Sequence, residues 1–388
     1  MPLALYLLAL AVFAMGTSEF MLAGLVPDIA AGLDVSVGTA GLLTSAFAVG
    51  MVIGAPAMAV LTRRRPARAT LLACVLTFAA CHVVGALTPT FWLLFATRVV
   101  AALANAGFLA VALGTATGLV APHRKGRALA VLLSGTTLAT VAGVPAGAVL
   151  GTALGWRAPF WAIALLCLPA ALGVLRGVPG RSGEFARVPV RAEIGRLRAP
   201  GLVPAMVLAA LVNAGTFAAF TYLAPIVTGP AGRPPTWVAP ALVCFGVGSY
   251  LGVTAAGRLA DRRPGPTIAV GGLLLLAGWV ALGLLAGHPV ALLSLVFLQG
   301  ASAFAVGSTL ITRVLYAAAG APTLAGACAT AALNVGAAAG PAVGAVALAT
   351  PAGSLGPVWV AAGLTGVTLL AALPLLRVVA PGPGTGDR

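Results

Sequence analysis

Charged side chains are scarce in this chain: 22 basic and only 7 acidic residues among 388, or 7%. A soluble globular chain carries about 25%. So few charges cannot cover a water-facing surface of this size, which excludes a soluble enzyme or binding module. Aromatic residues are also few, at 6%. The apolar content is instead Ala, Leu, Val and Gly in long unbroken runs, whereas a transmembrane barrel needs short alternating segments. Helices are therefore expected. Lysine occurs once against 21 arginines, a skew that fits the codon bias of a GC-rich bacterial genome.

Groups able to do chemistry are equally sparse. The five cysteines (Cys74, Cys81, Cys167, Cys244, Cys328) lie inside apolar stretches without metal-ligand spacing, and read as small buried hydrophobes. Three scattered histidines (His82, His123, His288) add no metal or nucleophile constellation. There is no Gly-x-x-x-x-Gly-Lys-Ser/Thr loop for a nucleotide phosphate. These absences speak against a metal centre, an ATP-driven pump and an intramembrane enzyme, and no cofactor is expected. A cleavable signal peptide is not expected either: the chain opens Met-Pro-Leu with no basic segment, and its first apolar run passes twenty residues.

What is present is a series of spans. A helix crossing a bilayer needs roughly 20 mostly apolar residues, and twelve such runs occur: 3–26, 39–61, 70–88, 91–119, 128–152, 157–176, 202–228, 237–260, 266–286, 290–313, 322–349 and 357–377. The net charge of +15 would suggest nucleic acid in a soluble protein. Here nineteen of the 22 basic residues fall on one side of the membrane once the spans are threaded. That is the bias that marks the cytoplasmic side, so both termini are expected inside.

The chain also repeats itself. Gly16-Thr17 returns as Gly215-Thr216, Arg65-Pro66 as Arg263-Pro264, and Pro145 as Pro341, at offsets near half the length. Span 5 carries a one-face glycine ridge (Gly143, Gly147, Gly151), and span 11 repeats it (Gly336, Gly340, Gly344). Small residues at this spacing let helices approach closely where lipid provides no hydrophobic drive for association. The ridges fit a static packing seam or a sliding one equally well. The expected architecture is an all-α polytopic membrane protein of two pseudo-symmetric six-helix bundles, 1–176 and 201–388, joined by an Arg-rich cytoplasmic linker at 177–200.

Ionisable residues inside a span are functional candidates by default. Glu19 and Arg98 are the two acid/base residues standing well inside a span, each roughly 10 Å below the outer interface at 1.5 Å per residue. Neither has a repeat partner: the matching positions are Ala218 and Phe297. Structural charges would be expected in both halves, so a unique pair points to a site, with Glu19 able to carry a proton. Asn105, Asn213, Tyr222, Gln299 and Asn334 interrupt apolar helices, and with Phe217 are the candidate contacts for a substrate. Each polar one alone reads more readily as interhelical glue. His82 is either a relay or a hydrogen-bonded structural imidazole, and Asp28 sits at the outer mouth. Asp261 and Arg262, following Gly257 after span 8, suit an ionic latch at a helix end.

These motifs resemble the major facilitator superfamily, in its drug:proton antiporter branch of arabinose-efflux-like proteins. GRLADRRPG (257–265) is similar to the family's loop signature, while its first-half copy has Thr62 where the acid would stand. Arg98 matches the arginine of the family's helix-4 motif, whose following Gln-Gly is Ala101-Ala102 here. GVPAG (143–147) resembles the helix-5 antiporter motif with Val144 inserted before Pro145. GTSEFMLAGLVPDIA (16–30), RVVAALANAGF (98–108), GWRAPFW (155–161) and AGTFAAFTYLAPI (214–226) look like the actinobacterial chloramphenicol-resistance exporters of that branch. The resemblance implies export of a small hydrophobic drug in exchange for protons by a lipid-embedded monomer, with no nucleic-acid partner. A sugar or nucleoside cargo is the rival within the fold, and a channel or facilitated-diffusion pore the rival outside it.

Overall fold

A computed structural model gives the fold and describes residues 1–62, 65–180, 193, 201–259 and 264–379. Among them, twelve helices are long and apolar enough to cross a membrane. They are α1 (Leu3–Phe20), α2 (Val37–Leu61), α3 (Ala67–Leu87), α4 (Phe91–Gly118), α5 (Pro122–Leu154), α6 (Ala158–Gly177), α7 (Leu202–Phe220), α8 (Val238–Leu259), α9 (Pro264–Leu285), α10 (Pro289–Ala317), α11 (Pro322–Leu348) and α12 (Gly356–Val379). Helix is the form the chain must take, because within lipid each backbone N–H and C=O needs a partner in its own segment or in a closed barrel. The starts are set by local chemistry. Ser36 caps α2 by accepting from the Thr39 N–H at 3.0 Å, and α10 and α11 open on prolines whose missing N–H costs nothing at a first turn.

The chain divides into two compact units, Met1–Arg187 and Val188–Arg388. Within the first, α1 packs on α5 and α6, α2 on α4, and α3 on α4 and α6. The second repeats the scheme: α7 on α11 and α12, α8 on α10, and α9 on α10 and α12. Glycines make the α2–α4 and α8–α10 contacts possible. A Cβ on Gly50 would meet Ala102 at 2.7 Å, and one on Gly248 would collide with the carbonyl of Phe297. Gly54 and Gly252 stand one turn further along each seam. Gly50 with Gly54 and Gly248 with Gly252 form a fifth recurrence at offset 198, legible in the sequence once the pairing of the helices is known. Large apolar side chains such as Leu168, Leu273, Val346 and Leu370 remain exposed, the surface of a molecule solvated by lipid.

Three local departures from regular helix matter for the site. The sequence places single spans at 3–26 and 202–228, yet α1 stops at Phe20 and α7 at Phe220. Short helices follow, Val26–Gly32 and Leu223–Thr228, each with a proline inside its first turns. Pro27 and Pro225 lack the N–H a continuous helix would use, and their rings crowd the carbonyl four residues back. The third departure is in α5, where Ala139–Gly143 forms a π-turn closed by the Val144 N–H on the Ala139 carbonyl. Pro145 follows directly and donates nothing to the turn before it. In α11 the glycine and proline are adjacent, at Gly340-Pro341, and the helix runs through them.

Candidate functional site

The site is built where α1 ends. Its last intrahelical bond runs from the Met21 N–H to the Thr17 carbonyl, so the Ser18 carbonyl is the first without a helical donor. The final turn of a helix leaves such carbonyls unpaired and carries partial negative charge. Arg98, 1% exposed in the third turn of α4, meets that need. Its Nη2 donates to the Ser18 carbonyl at 2.8 Å and its Nη1 to the Ser18 Oγ at 2.7 Å. The guanidinium lies over the Phe47 ring, 4.5 Å from its centre, a favourable face for a cation. Nε is buried with no hydrogen-bond partner among the described residues.

His82 of α3 completes the cluster at 2% exposure. Its Nδ1 lies 2.7 Å from the Phe78 carbonyl and its Nε2 2.7 Å from the Ser18 Oγ. A carbonyl only accepts, so Nδ1 carries the hydrogen. Ser18 Oγ already accepts from Arg98, and its own O–H then points to His82 Nε2. The chain of bonds has one direction: Arg98 to Ser18 to His82 to the Phe78 carbonyl.

Glu19 is adjacent to this network without joining it. It is half-buried, and among the described residues no hydrogen bond or ion pair holds its carboxylate. Arg98 is the cation whose charge acts on it. The structure therefore brings the two predicted residues together as electrostatic neighbours, while the guanidinium's short contacts go to Ser18. Ser18 is the residue the sequence reading missed. The available signal was its place directly before Glu19, and the need of a buried arginine for compensation. Asp28 is exposed in the first turn of Val26–Gly32, outside the spans, where partial desolvation raises its carboxyl above the usual range.

The other candidates are spread through the two units. Asn105 donates to the Met51 sulfur of α2 at 3.7 Å. Asn213 donates to the Leu333 carbonyl at 2.7 Å and the Tyr222 hydroxyl to the Pro341 carbonyl at 2.8 Å, both linking α7 or its end to α11. Asn334 bonds back to Thr330 of its own helix at 2.9 Å. Gln299 Nε2 reaches the Leu275 carbonyl of α9 at 3.3 Å, and its Oε1 is buried without a partner among the described residues. Phe217 belongs to a row of rings with Phe220, Phe245 and Phe304, at centre distances of 6.1, 4.4 and 6.0 Å along the row. In α5, Gly143 abuts the Thr17 hydroxyl and Gly147 faces Met21, with Pro145 buried between them. Gly257 lies in α8 with open space where a Cβ would be. Asp261 and Arg262 lie outside the described residues.

The chain is similar to known proteins in sequence and in fold. The family model described as the Major Facilitator Superfamily matches residues 8–239. A chloramphenicol resistance protein of Streptomyces lividans is 63% identical over 98% of this chain and 97% of its own length. The inner membrane transport protein YdhP of Escherichia coli K12 is 34% identical over 87% of this chain and 86% of its own. Among solved structures, a bacterial homolog of the human lysosomal transporter Spinster shares the fold, with a TM-score of 0.70 and 19% identity over 97% of this chain and 94% of that one.

Proposed function

The chain belongs to the major facilitator superfamily, and from that premise we propose that it exports chloramphenicol or a related neutral phenicol in exchange for protons. It is a multi-pass transporter of the bacterial cell membrane, not an enzyme. The observation that carries the cargo is the 63% identity, along nearly the whole of both chains, to a chloramphenicol resistance protein. Both termini are placed in the cytoplasm, as the distribution of basic residues supports. Export then proceeds by alternating access, and the protein acts as a monomer.

Proton coupling is assigned to Glu19. A buried arginine and a nearby carboxylate commonly neutralise each other, which would tie the acid up. Here the Arg98 charge is met by the Ser18 carbonyl, the Ser18 hydroxyl and the Phe47 face. The Glu19 carboxylate is thereby left free to take a proton on one side of the membrane and release it on the other. The drug is neutral and largely apolar, and the row of rings containing Phe217 suits it better than a sugar, which asks for several polar partners. Asn105 in the first unit, and Asn213, Tyr222, Gln299 and Asn334 in the second, are assigned first to holding helices. Among them Gln299 Oε1 has an acceptor still unused.

The test is Glu19→Gln in proteoliposomes. Uphill chloramphenicol movement driven by an imposed pH gradient should fall at least tenfold, with drug binding within about threefold of the parent, since each 1.4 kcal/mol is tenfold. Undiminished proton-driven transport in that variant removes Glu19 from the mechanism.

A further inference from the structure

We propose that Ser18 and His82 are positioning residues for proton coupling, forming a clamp that keeps Arg98 off the Glu19 carboxylate. The inference rests on the reading of Glu19 as the proton carrier and adds the residues that keep it available. Three observations support it. Ser18 is fully buried at 0% exposure and takes two guanidinium N–H bonds, at 2.7 and 2.8 Å. Its hydroxyl can accept from Arg98 only if its own hydrogen goes elsewhere, and His82 Nε2 at 2.7 Å is the acceptor provided. His82 is in turn fixed by the bond from Nδ1 to the Phe78 carbonyl, and by the Phe78 and Phe160 rings at 4.4 and 5.8 Å. The imidazole thus sets which way the serine hydroxyl points, and the hydroxyl helps set where the guanidinium sits.

The clamp is also incomplete in a telling way. Among the described residues Arg98 Nε remains buried without a partner, so the guanidinium keeps one donor unspent, and no hydrogen bond or ion pair holds the Glu19 carboxylate. With Ser18 in place the two groups stay neighbours, each free to act. Without the hydroxyl, the guanidinium keeps a single hydrogen bond, to the Ser18 carbonyl, beside the Phe47 face, and can swing onto the carboxylate and hold it ionised. Coupling is then lost while the route for the drug is unchanged. The charged and titratable groups facing Glu19 across these helices are Arg98 of α4 and, through Arg98, His82 and Cys81 of α3. The remaining charged and histidine residues of the helices packed on α1 lie near their ends: His123, Arg124, Lys125 and Arg127 of α5, Arg157 just before α6, and Arg176 in its last turn.

Two assays on the same proteoliposomes test this. Chloramphenicol counterflow without a gradient reads drug binding and the cycling of the carrier. Accumulation under an imposed pH gradient reads coupling. Ser18→Ala should keep counterflow within about twofold and lose accumulation at least tenfold. His82→Ala should do the same, because the serine hydrogen is then free to turn. His82→Gln, which can offer an amide oxygen near the Nε2 position, should recover most of the accumulation. A Ser18→Ala protein that accumulates drug normally overturns the proposal. So does a parallel loss of both activities, which is the mark of a merely structural serine. If Ser18→Ala does not yield folded protein, the contrast between His82→Ala and His82→Gln decides, and equal behaviour of those two overturns it. The underlying reading fails separately: Glu19→Gln would retain accumulation, whatever Ser18→Ala does.

Discussion

The seam between α7 and α11 predicts a large cost for one methyl group. A Cβ on Gly340 would collide with the Ala214 carbonyl oxygen and stand 2.9 Å from the Ala218 nitrogen and 3.0 Å from the Ala214 carbonyl carbon. These are backbone atoms of a neighbouring helix and cannot rotate aside, so the helices themselves must part. Overpacking of this kind costs about 1–3 kcal/mol, against a helix-propensity gain from Gly to Ala of about 1 kcal/mol. Gly363 of α12, in the same unit, has nothing within 4 Å of an added Cβ and keeps the gain alone. At about 2–4 °C per kcal/mol for a unit of this size, Gly340→Ala should unfold roughly 5 °C below Gly363→Ala. The assay is thermal unfolding in detergent followed by a thiol-reactive fluorophore, since Cys74 and Cys167 are buried in the native protein. Gly147→Ala in α5 should be benign too, because its nearest neighbour is Met21 Cβ at 3.6 Å. If Gly340→Ala melts with the two controls, the backbone approach does not govern the stability of this seam.

Three further outcomes are expected. The buried Glu193 carboxylate accepts from the Leu324 N–H at 3.1 Å in the first turn of α11, so Glu193→Ala should cost about 1–2 kcal/mol and Glu193→Gln distinctly less; equal melting losses would deny the capping role. Asp261→Asn should slow turnover without abolishing drug binding, and unchanged state populations in accessibility labelling would discard the latch. One carboxylate implies one proton per drug, and the exchange of a proton for a neutral molecule moves charge. A potential of 100 mV contributes about 2.3 kcal/mol and one pH unit about 1.4 kcal/mol, which together sustain a drug gradient of roughly 500-fold. Transport should therefore respond to each gradient imposed alone, and indifference to both would mean facilitated diffusion.

The twelve spans were legible because lipid leaves an apolar run of some twenty residues little choice but helix. Span ends were less so. The runs at 3–26 and 202–228 look continuous by hydropathy, and only Pro27 and Pro225 signal that α1 and α7 stop short. At the site, Glu19 and Arg98 stood out because charge at that depth is expensive. Their partners did not. A serine hydroxyl and a backbone carbonyl leave no mark on composition, and the carbonyl is available only because the helix ends where it does. His82 could be flagged as the histidine of a span, but its role depends on Ser18 lying 2.7 Å away across 64 residues of chain.

The same dependence bears on why the proposed coupling site lies in one half of a duplicated scaffold. The two units share their helix pairing, but α7 packs closely against α10 whereas α1 touches α4 sparsely. At the positions matching Glu19 and Arg98 the second unit has Ala218 and Phe297. The Ala218 backbone is pressed into a seam, its oxygen 3.1 Å from where a Cβ on Gly344 would sit. A side chain that must gain and lose a proton needs room and a compensated neighbour, and neither exists where helices meet backbone to backbone. In the first unit the broken end of α1 provides both, an unpaired carbonyl for the arginine and a half-open position for the acid.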